Sequence, residues 1–143
     1  SPRRGTEFVT RKISRAVARI KLGKQERVQL GNLAAQRDWG FAGDYVEMMH
    51  LMLQRDEPSD FVIGTGVAHS VQDFVEAASE HVGLNWRDIV ETDPDMMRPV
   101  DVDHLIADPT RARDDLSWAP KVSFRQLVSM MVEHDLQTES ADR

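Results

Sequence analysis

The feature that most constrains the fold of this chain is the alternation of helical stripes with short apolar runs. From Phe8 to about Leu22 the apolar residues recur at helical spacing, and Gly23 follows as a natural helix stop. The next run, Val28–Leu30, is short, apolar at both ends and typical of a strand. Because helix and strand patterns continue to alternate along the chain, the sequence predicts a mixed α/β fold that is rich in helix.

The same patterns predict the remaining elements. Short apolar runs indicate strands at 61–63 and 104–107, and residues 31–37 are expected to form a polar loop. Further helices are expected over 45–53, after the capping box of Ser70 and Asp73, after Asp108-Pro109, and after the capping box of Ser123 and Gln126. Gly83 is expected to end the helix that Ser70 begins.

Length and composition predict one domain. The chain has 143 residues, 41% of them hydrophobic, which is enough for a core of its own. We assign residues 1–137 to this domain and expect residues 138–143 to form a frayed polar tail. An opening without methionine is expected of a processed chain or of a piece of a longer protein.

The cysteine and histidine content limits the kinds of cross-link and metal site that the chain can form. The chain has no cysteine, which excludes disulfides and thiolate metal sites and agrees with a cytoplasmic location. Its five histidines do not have metal-ligand spacing, so we predict no metal site. Neither a signal peptide nor an apolar run of membrane-spanning length is found, and we predict no membrane partner.

Charge is distributed unevenly. The net charge is −6, but residues 1–27 carry nine Lys and Arg against two Glu, and the rest of the chain is strongly acidic. Such a basic segment can attract nucleic acid, a phosphorylated small molecule or an acidic partner surface, or it can be a solvated helix face. Nucleic acid is the weakest of these readings, because the basic helix has no interleaved aromatic residues for base stacking and the whole chain is acidic.

The chain lacks a complete catalytic set. Its one glycine-rich stretch, from Gly64 to His69, has histidine where a dinucleotide-binding fingerprint has its third glycine. We therefore expect an ordinary turn there rather than a phosphate loop. The single tyrosine, Tyr45, has Met49 four residues later, so no Tyr-x-x-x-Lys pair exists. By contrast, Arg37 and Arg98 suggest a diphosphate clamp, because a guanidinium presents paired donors that match phosphate oxygens.

Several motifs occur in the order and approximate spacing of one known family. They are Ser1-Pro2-Arg3-Arg4-Gly5, Phe8-Val9-Thr10-Arg11-Lys12-Ile13, Leu30-Gly31-Asn32-Leu33, Arg37-Asp38-Trp39-Gly40, Asp44-Tyr45-Val46-Glu47 and Arg98-Pro99. On these motifs the chain resembles the C-terminal portion of the GDP-mannose 4,6-dehydratases, which are extended short-chain dehydrogenases/reductases. The resemblance implies a helix-rich α/β substrate-binding portion that lacks most of the Rossmann domain.

The resemblance also implies site residues. Arg4 matches an arginine that contacts NADP, and Lys12 matches a lysine near the diphosphate of the sugar nucleotide. Arg37 and Arg98 match the arginines that grip this diphosphate. Asp101 stands where the family usually has a glutamate near the ribose hydroxyls.

One departure from the family pattern concerns the backbone. Ser117 stands where a glycine is common before the tryptophan of this motif. We expect no ligand contact to be lost by this change.

The implied activity is that of a lyase. The family converts GDP-mannose to GDP-4-keto-6-deoxymannose with bound NADP, and its catalytic threonine, glutamate, tyrosine and lysine precede the region matched here. The chain is thus expected to bind and orient GDP-mannose, to need an N-terminal Rossmann domain for activity, and to form a homo-oligomer, either a dimer or a tetramer. Two other classes stay open: a stand-alone GDP-sugar-binding module and an assembly fragment.

Overall fold

The computed structural model describes residues 1–97, 102 and 104–141. Within them the chain forms six α-helices and five short strands, with a 3-10 turn at Pro94–Met96. The order is α1 (Val9–Lys21), β1 (Val28–Leu30), β2 (Gln36–Asp38), α2 (Ala42–Leu53), β3 (Ala68–Ser70), α3 (Val71–His81), α4 (Trp86–Ile89), β4 (Val90–Thr92), β5 (His104–Leu105), α5 (Thr110–Leu116) and α6 (Phe124–Ala141).

The main core lies among α1, α3 and α6. Each of these helices turns one apolar stripe toward the other two, and Ile13, Phe74 and Val128 are completely buried there. Fully burying a side chain of this size stabilises the fold by about 1.5–3 kcal/mol. The helical periodicity of the sequence therefore predicted the correct core faces.

The strands form two small sheets. Strand β1 pairs in parallel with β4, and β2 lies between antiparallel β3 and parallel β5. In the second sheet Arg37 of β2 is opposite His69 on one side and Leu105 on the other. The centre of this sheet thus carries one of the predicted clamp residues.

Two strand expectations need correction. Strand β2 occupies part of the segment expected as a loop, because its polar sequence is stabilised by pairing on both edges and not by burial of apolar side chains. The strand expected at 61–63 is wrong: this segment is irregular, and Val62 is 54% exposed. The strand of this region is β3, a few residues later. At 104–107 the expected strand is confirmed over its first two residues.

The two capping-box predictions are confirmed, and a helix follows Asp108-Pro109 as expected. The N-cap of that helix is Pro109 and not Asp108, and α2 begins at Ala42, before the expected start at residue 45. Ser70 and Asp73 form the reciprocal capping box at the start of α3. Ser123 and Gln126 form the second box, in which the Ser123 amide donates to Gln126 Oε1 at 2.9 Å. After α3 the chain takes a positive φ at Gly83 (+73°), as expected of a glycine that ends a helix.

The polar tail is helical up to Ala141. The frayed tail expected from Thr138 is contradicted, because Glu139 is buried and forms ion pairs with Arg15 at 2.6 Å and Arg19 at 2.7 Å. These contacts hold the last turn of α6 against α1. A charge pattern read along one helix could not reveal the partner that lies 120 residues away.

A second, smaller cluster lies beside this core. Met48 of α2, Ala112 of α5 and Trp118 are buried together. The Asp44 carboxylate accepts hydrogen bonds from the backbone amides of Lys121 and Val122, both at 3.0 Å. These bonds tie the start of α2 to the segment that leads into α6.

Candidate functional site

A cavity of about 410 Å³ brings two predicted binding residues together. Lys12 of α1 and Arg37 of β2 line this cavity, together with Gly31 and Asn32 from the segment after β1. The helix and the strand are distant in sequence, and the residues that flank the strand, Ala35 and Trp39, pack on the same core as α1. The structure therefore places two of the four predicted substrate-binding side chains in one site.

The Lys12 ammonium meets only a weak acceptor. Its Nζ lies 3.3 Å from the thioether sulfur of Met96, and no carboxylate within the described ranges forms an ion pair with it. A strong donor facing a sulfur atom retains most of its capacity for an anion. This contact distinguishes Lys12 from Arg11 and Arg15 on the same helix, which pair with acidic residues of α6.

The Arg37 guanidinium lies beside the same cavity. Its Nη1 donates to the Gln36 carbonyl at 2.7 Å and to the Val102 carbonyl. Both acceptors are backbone oxygens, and these bonds help to orient the side chain. Arg37 and Lys12 thus line the same cavity.

Two further candidates cannot be placed. Arg98 and Asp101 lie outside the described residues. Their contacts with the diphosphate and the ribose stay predictions.

A second cavity, of about 570 Å³, contains Arg4. The Arg4 guanidinium lies over the Phe8 ring, 3.4 Å from its centroid, and the Arg4 carbonyl accepts a hydrogen bond from Arg11 at 3.2 Å. The side chain is exposed. An exposed cation that stacks on an aromatic ring is suited to binding a phosphate or a carboxylate.

The two cavities share a wall. Glu7, Val9 and Trp39 line both of them. Trp39 packs on the core through an edge contact with Phe74 and a stacked contact with Phe124. The two cavities are therefore adjacent and are separated in part by an aromatic side chain that packs on the core.

Tyr45 is a site residue that sequence reasoning missed. It lines the larger cavity, and burial raises its pKa to about 12, with further contributions from the negative charges of Asp38 and Asp44. The phenol therefore stays protonated and can act only as a neutral hydrogen-bond partner at ordinary pH. Asp44 precedes Tyr45 directly in the sequence, so its effect on the Tyr45 pKa could have been predicted. Asp38 lies seven residues away, and only the structure shows that it acts on Tyr45.

The glycine-rich stretch is a turn, as expected, and it binds an anion from the chain itself. The Asp38 carboxylate accepts hydrogen bonds from the amides of Thr65 and Gly66. This contact was not predicted from the sequence.

Neither a metal centre nor a membrane helix emerges from the described residues. Among them, no group of three or more His, Asp or Glu side chains could hold a metal ion. The helices of the described part are also too short or too polar to cross a bilayer.

Solved structures define the class of fold. RMD from Pseudomonas aeruginosa, solved with NADPH, covers 96% of this chain with a TM-score of 0.87 at 18% identity, and the chain spans 46% of it. The dTDP-glucose 4,6-dehydratase of Bacillus anthracis, solved with NAD, covers 98% with a TM-score of 0.80 at 19% identity, and the chain spans 42% of it. The fold is that of extended short-chain dehydrogenases/reductases of the dehydratase and epimerase type, as predicted.

Sequence comparison defines the family. The model of the family described as GDP-mannose 4,6 dehydratase matches residues 1–131. GDP-mannose 4,6 dehydratase 1 of Arabidopsis thaliana is 52% identical over the whole chain, and the human GDP-mannose 4,6 dehydratase is 49% identical over 96% of it. The chain belongs to the GDP-mannose 4,6-dehydratase family. It spans about two fifths of the length of these relatives, 40% and 41% respectively, which is consistent with the predicted C-terminal portion.

Proposed function

We propose that this chain is the sugar-nucleotide-binding portion of a GDP-mannose 4,6-dehydratase. In such a lyase it would bind and orient GDP-mannose while the substrate is converted to GDP-4-keto-6-deoxymannose with bound NADP. The observation that carries the proposal is the cavity that Lys12 and Arg37 line together. Membership of the family makes GDP-mannose the first ligand to test.

The chemistry of the cavity fits a diphosphate. Lys12 supplies a compact positive charge and Arg37 a planar group whose donors suit phosphate oxygens. Each charge-assisted hydrogen bond of this kind contributes about 1.5–3 kcal/mol. We predict that Arg98 adds a second guanidinium and that Asp101 binds the ribose hydroxyls.

The second cavity fits one end of a nicotinamide cofactor. Arg4 would hold an anionic group of NADP there, and Tyr45 would offer a neutral hydroxyl. When bound, the cofactor supplies the acceptor and donor of hydride. The wall shared through Trp39 would place the sugar of the bound substrate next to this cavity.

The role of this chain is to bind and orient, because its residues do not include the family's catalytic set. Holding a substrate at a reacting group replaces an encounter between separate molecules, and this contributes a large part of the rate enhancement of many enzymes. We infer that an N-terminal Rossmann domain supplies the acid/base residues and most of the cofactor site. A cytoplasmic location would agree with this function.

The exposed face of α2 supports the need for a further partner. Val46, Met49 and Leu53 recur at helical spacing and are 62%, 54% and 81% exposed. An apolar stripe of this kind is normally covered by another domain or subunit. We propose the Rossmann domain or a second copy of the chain as the cover.

Calorimetric titration with GDP-mannose tests the binding proposal. We expect the chain to bind, and we expect Arg37→Ala or Lys12→Ala to weaken binding about tenfold or more. Arg125→Ala is the matched control, because Arg125 is an exposed arginine that pairs with Glu80 outside this cavity. Equal affinity in Arg37→Ala and the unmodified chain would contradict the clamp.

The assembly alternative has its own test. Sedimentation of the chain at increasing concentration should reveal association through α2, and Leu53→Glu should reduce it. Association without any binding of GDP-mannose would favour an assembly fragment over a binding portion. Binding of GDP-mannose without association would instead favour a GDP-sugar-binding module.

A further inference from the structure

We propose that Asp38 is a positioning residue for the diphosphate cavity. Its carboxylate fills an anion-binding cradle formed by the 64–66 loop, and this holds the adjacent Arg37 in place. The assignment of Arg37 as a ligand residue rests on the proposed function. The occupied cradle does not depend on it.

The cradle is built from donors on two sides of β2. The Thr65 amide donates to Asp38 Oδ1 at 2.9 Å and to Oδ2 at 3.0 Å, and the Thr65 hydroxyl donates to Oδ1 at 2.6 Å. The Gly66 amide donates to Oδ2 at 2.9 Å, and the Ala107 amide approaches the same oxygen at 3.3 Å. Successive backbone amides that converge in this way form a concavity for an anion.

The two glycines are required by this geometry. A Cβ atom at Gly64 would lie 2.8 Å from Asp38 Oδ2 and 2.2 Å from the Ala107 Cβ. Gly66 has a φ of +75°, which side-chain-bearing residues rarely adopt. The glycine pattern that resembles part of a phosphate loop is thus explained by the carboxylate of the same chain.

The cradle connects the whole sheet around Arg37. Thr65 and Gly66 precede β3, whereas Ala107 follows β5, and these are the two strands that flank β2. One carboxylate on β2 therefore fastens both neighbouring strands. Because Arg37 precedes Asp38 in a strand of only three residues, the orientation of the guanidinium depends on this fastening.

Amide hydrogen exchange tests the cradle without any ligand. Asp38→Asn keeps the shape of the side chain but places an NH₂ group against amide donors. We expect exchange at Thr65, Gly66 and Arg37 to accelerate by about tenfold or more, while α1 and α6 keep their protection.

The matched control is Asp44→Asn, which alters another carboxylate that accepts two backbone amides. It should leave exchange at Thr65 and Gly66 unchanged. Unaltered exchange at these two amides in Asp38→Asn would overturn the proposal. Faster exchange in every helix of the variant would also overturn it, because it would indicate a general loss of stability.

A double-mutant cycle tests the link to Arg37, with GDP as the probe in calorimetry. Asp38→Asn alone should weaken GDP binding by about tenfold. In the Arg37→Ala background it should have little further effect, because the residue that it positions is gone. Equal losses in both backgrounds would show that Asp38 does not act through Arg37. If the unmodified chain fails to bind GDP, the binding proposal fails, whereas the exchange experiment still decides the role of Asp38.

Discussion

The two sides of the molecule differ in whether their side chains find partners within the chain. On the side of α1 and α6, charged residues pair within the chain: Arg11 Nη2 lies 2.7 Å from Asp135, and Arg15 and Arg19 hold Glu139. On the side of α2, apolar side chains such as Leu53 lie exposed. The first side is complete within this chain, and we propose that another domain or subunit covers the second.

This difference changes the meaning of the basic N-terminal segment. Its charge suggested a phosphorylated small molecule, an acidic partner surface, a solvated helix face or, least of all, nucleic acid. The structure shows that Arg11, Arg15 and Arg19 of α1 each pair with an acidic residue of α6. Lys12 instead contacts Met96 and lines the cavity. The arginines of α1 are thus paired on one face of the helix, whereas Lys12 lies on another face, at the cavity.

The largest effect on stability is expected from a substitution at Asp135, on the side where charged residues pair within the chain. Asp135 is 1% exposed and accepts a hydrogen bond from Ser14 at 2.6 Å besides its ion pair with Arg11. Asp135→Ala would leave a buried cation unpaired, so we expect a loss of about 3–5 kcal/mol in the free energy of unfolding, measured with urea. Glu133→Ala on the same helix is the control, because Glu133 is exposed. A loss as small as that of the control would contradict the view that this side depends on its pairing.

A smaller effect is expected at Glu139. Its pKa is lowered below 4.5, first by the hydrogen bond from Arg15 and then by that from Arg19. Stability from this group is therefore present above pH 4.5 and is lost as the pH falls through the lower pKa of the folded state. Glu139→Gln should cost about 1.5–3 kcal/mol at neutral pH and flatten the acid limb of the stability curve. An unchanged acid limb in the variant would assign acid sensitivity to other carboxyl groups.

The titration of Tyr45 tests how well the α2 side of the molecule excludes water. As the only tyrosine, it gives a phenolate absorbance signal that needs no assignment. We expect titration of the folded chain near pH 12, and near 10 after unfolding. Since the pKa is raised in the folded state, stability is full below pH 10 and is lost as the pH rises toward 12. Titration of the folded chain near pH 10 would show that the cavity around Tyr45 is open to water.

The smallest effect is expected at Ser117, after α5. It adopts the left-handed region with a φ of +51°, which favours glycine, the residue that the family resemblance implies at this position. Ser117→Gly should raise the free energy of unfolding by about 0.5–1 kcal/mol, since relief of backbone strain exceeds the added entropy of the unfolded chain. Ser129→Gly, within α6, is the contrasting control and should destabilise the chain. A loss of stability in Ser117→Gly would mean that the serine side chain compensates for its backbone.

Local signals predicted much of this fold. The stripe of α1, the two capping boxes and the glycine after α3 each act within a few residues, so the sequence pattern contains the complete cause. Strand β2 escaped prediction because its stability comes from two neighbours that are distant in sequence. The irregular segment 61–63 was mistaken for a strand because Phe61 and Ile63 are apolar for another reason: they pack against the second cluster without pairing in a sheet.

The site was predictable only in part. The family resemblance predicted that Lys12 and Arg37 bind the same diphosphate, and the structure shows that both residues line one cavity. The bond between Asp38 and the glycine-rich loop spans 27 residues and depends on backbone amides, which no side-chain pattern records. The same holds for Ser14 and Asp135, which lie 121 residues apart.

The carboxylate in the 64–66 cradle has a thermodynamic consequence for any ligand of the neighbouring cavity. The Asp38 carboxylate occupies the cradle without any ligand, so this part of the sheet is ordered during folding. The entropy lost in this ordering is therefore not lost again when a ligand binds. A ligand therefore meets a preorganised surface, and less of its intrinsic affinity is consumed by immobilising the protein. Its departure likewise leaves the sheet intact, so release and renewed binding need no refolding step between successive ligands.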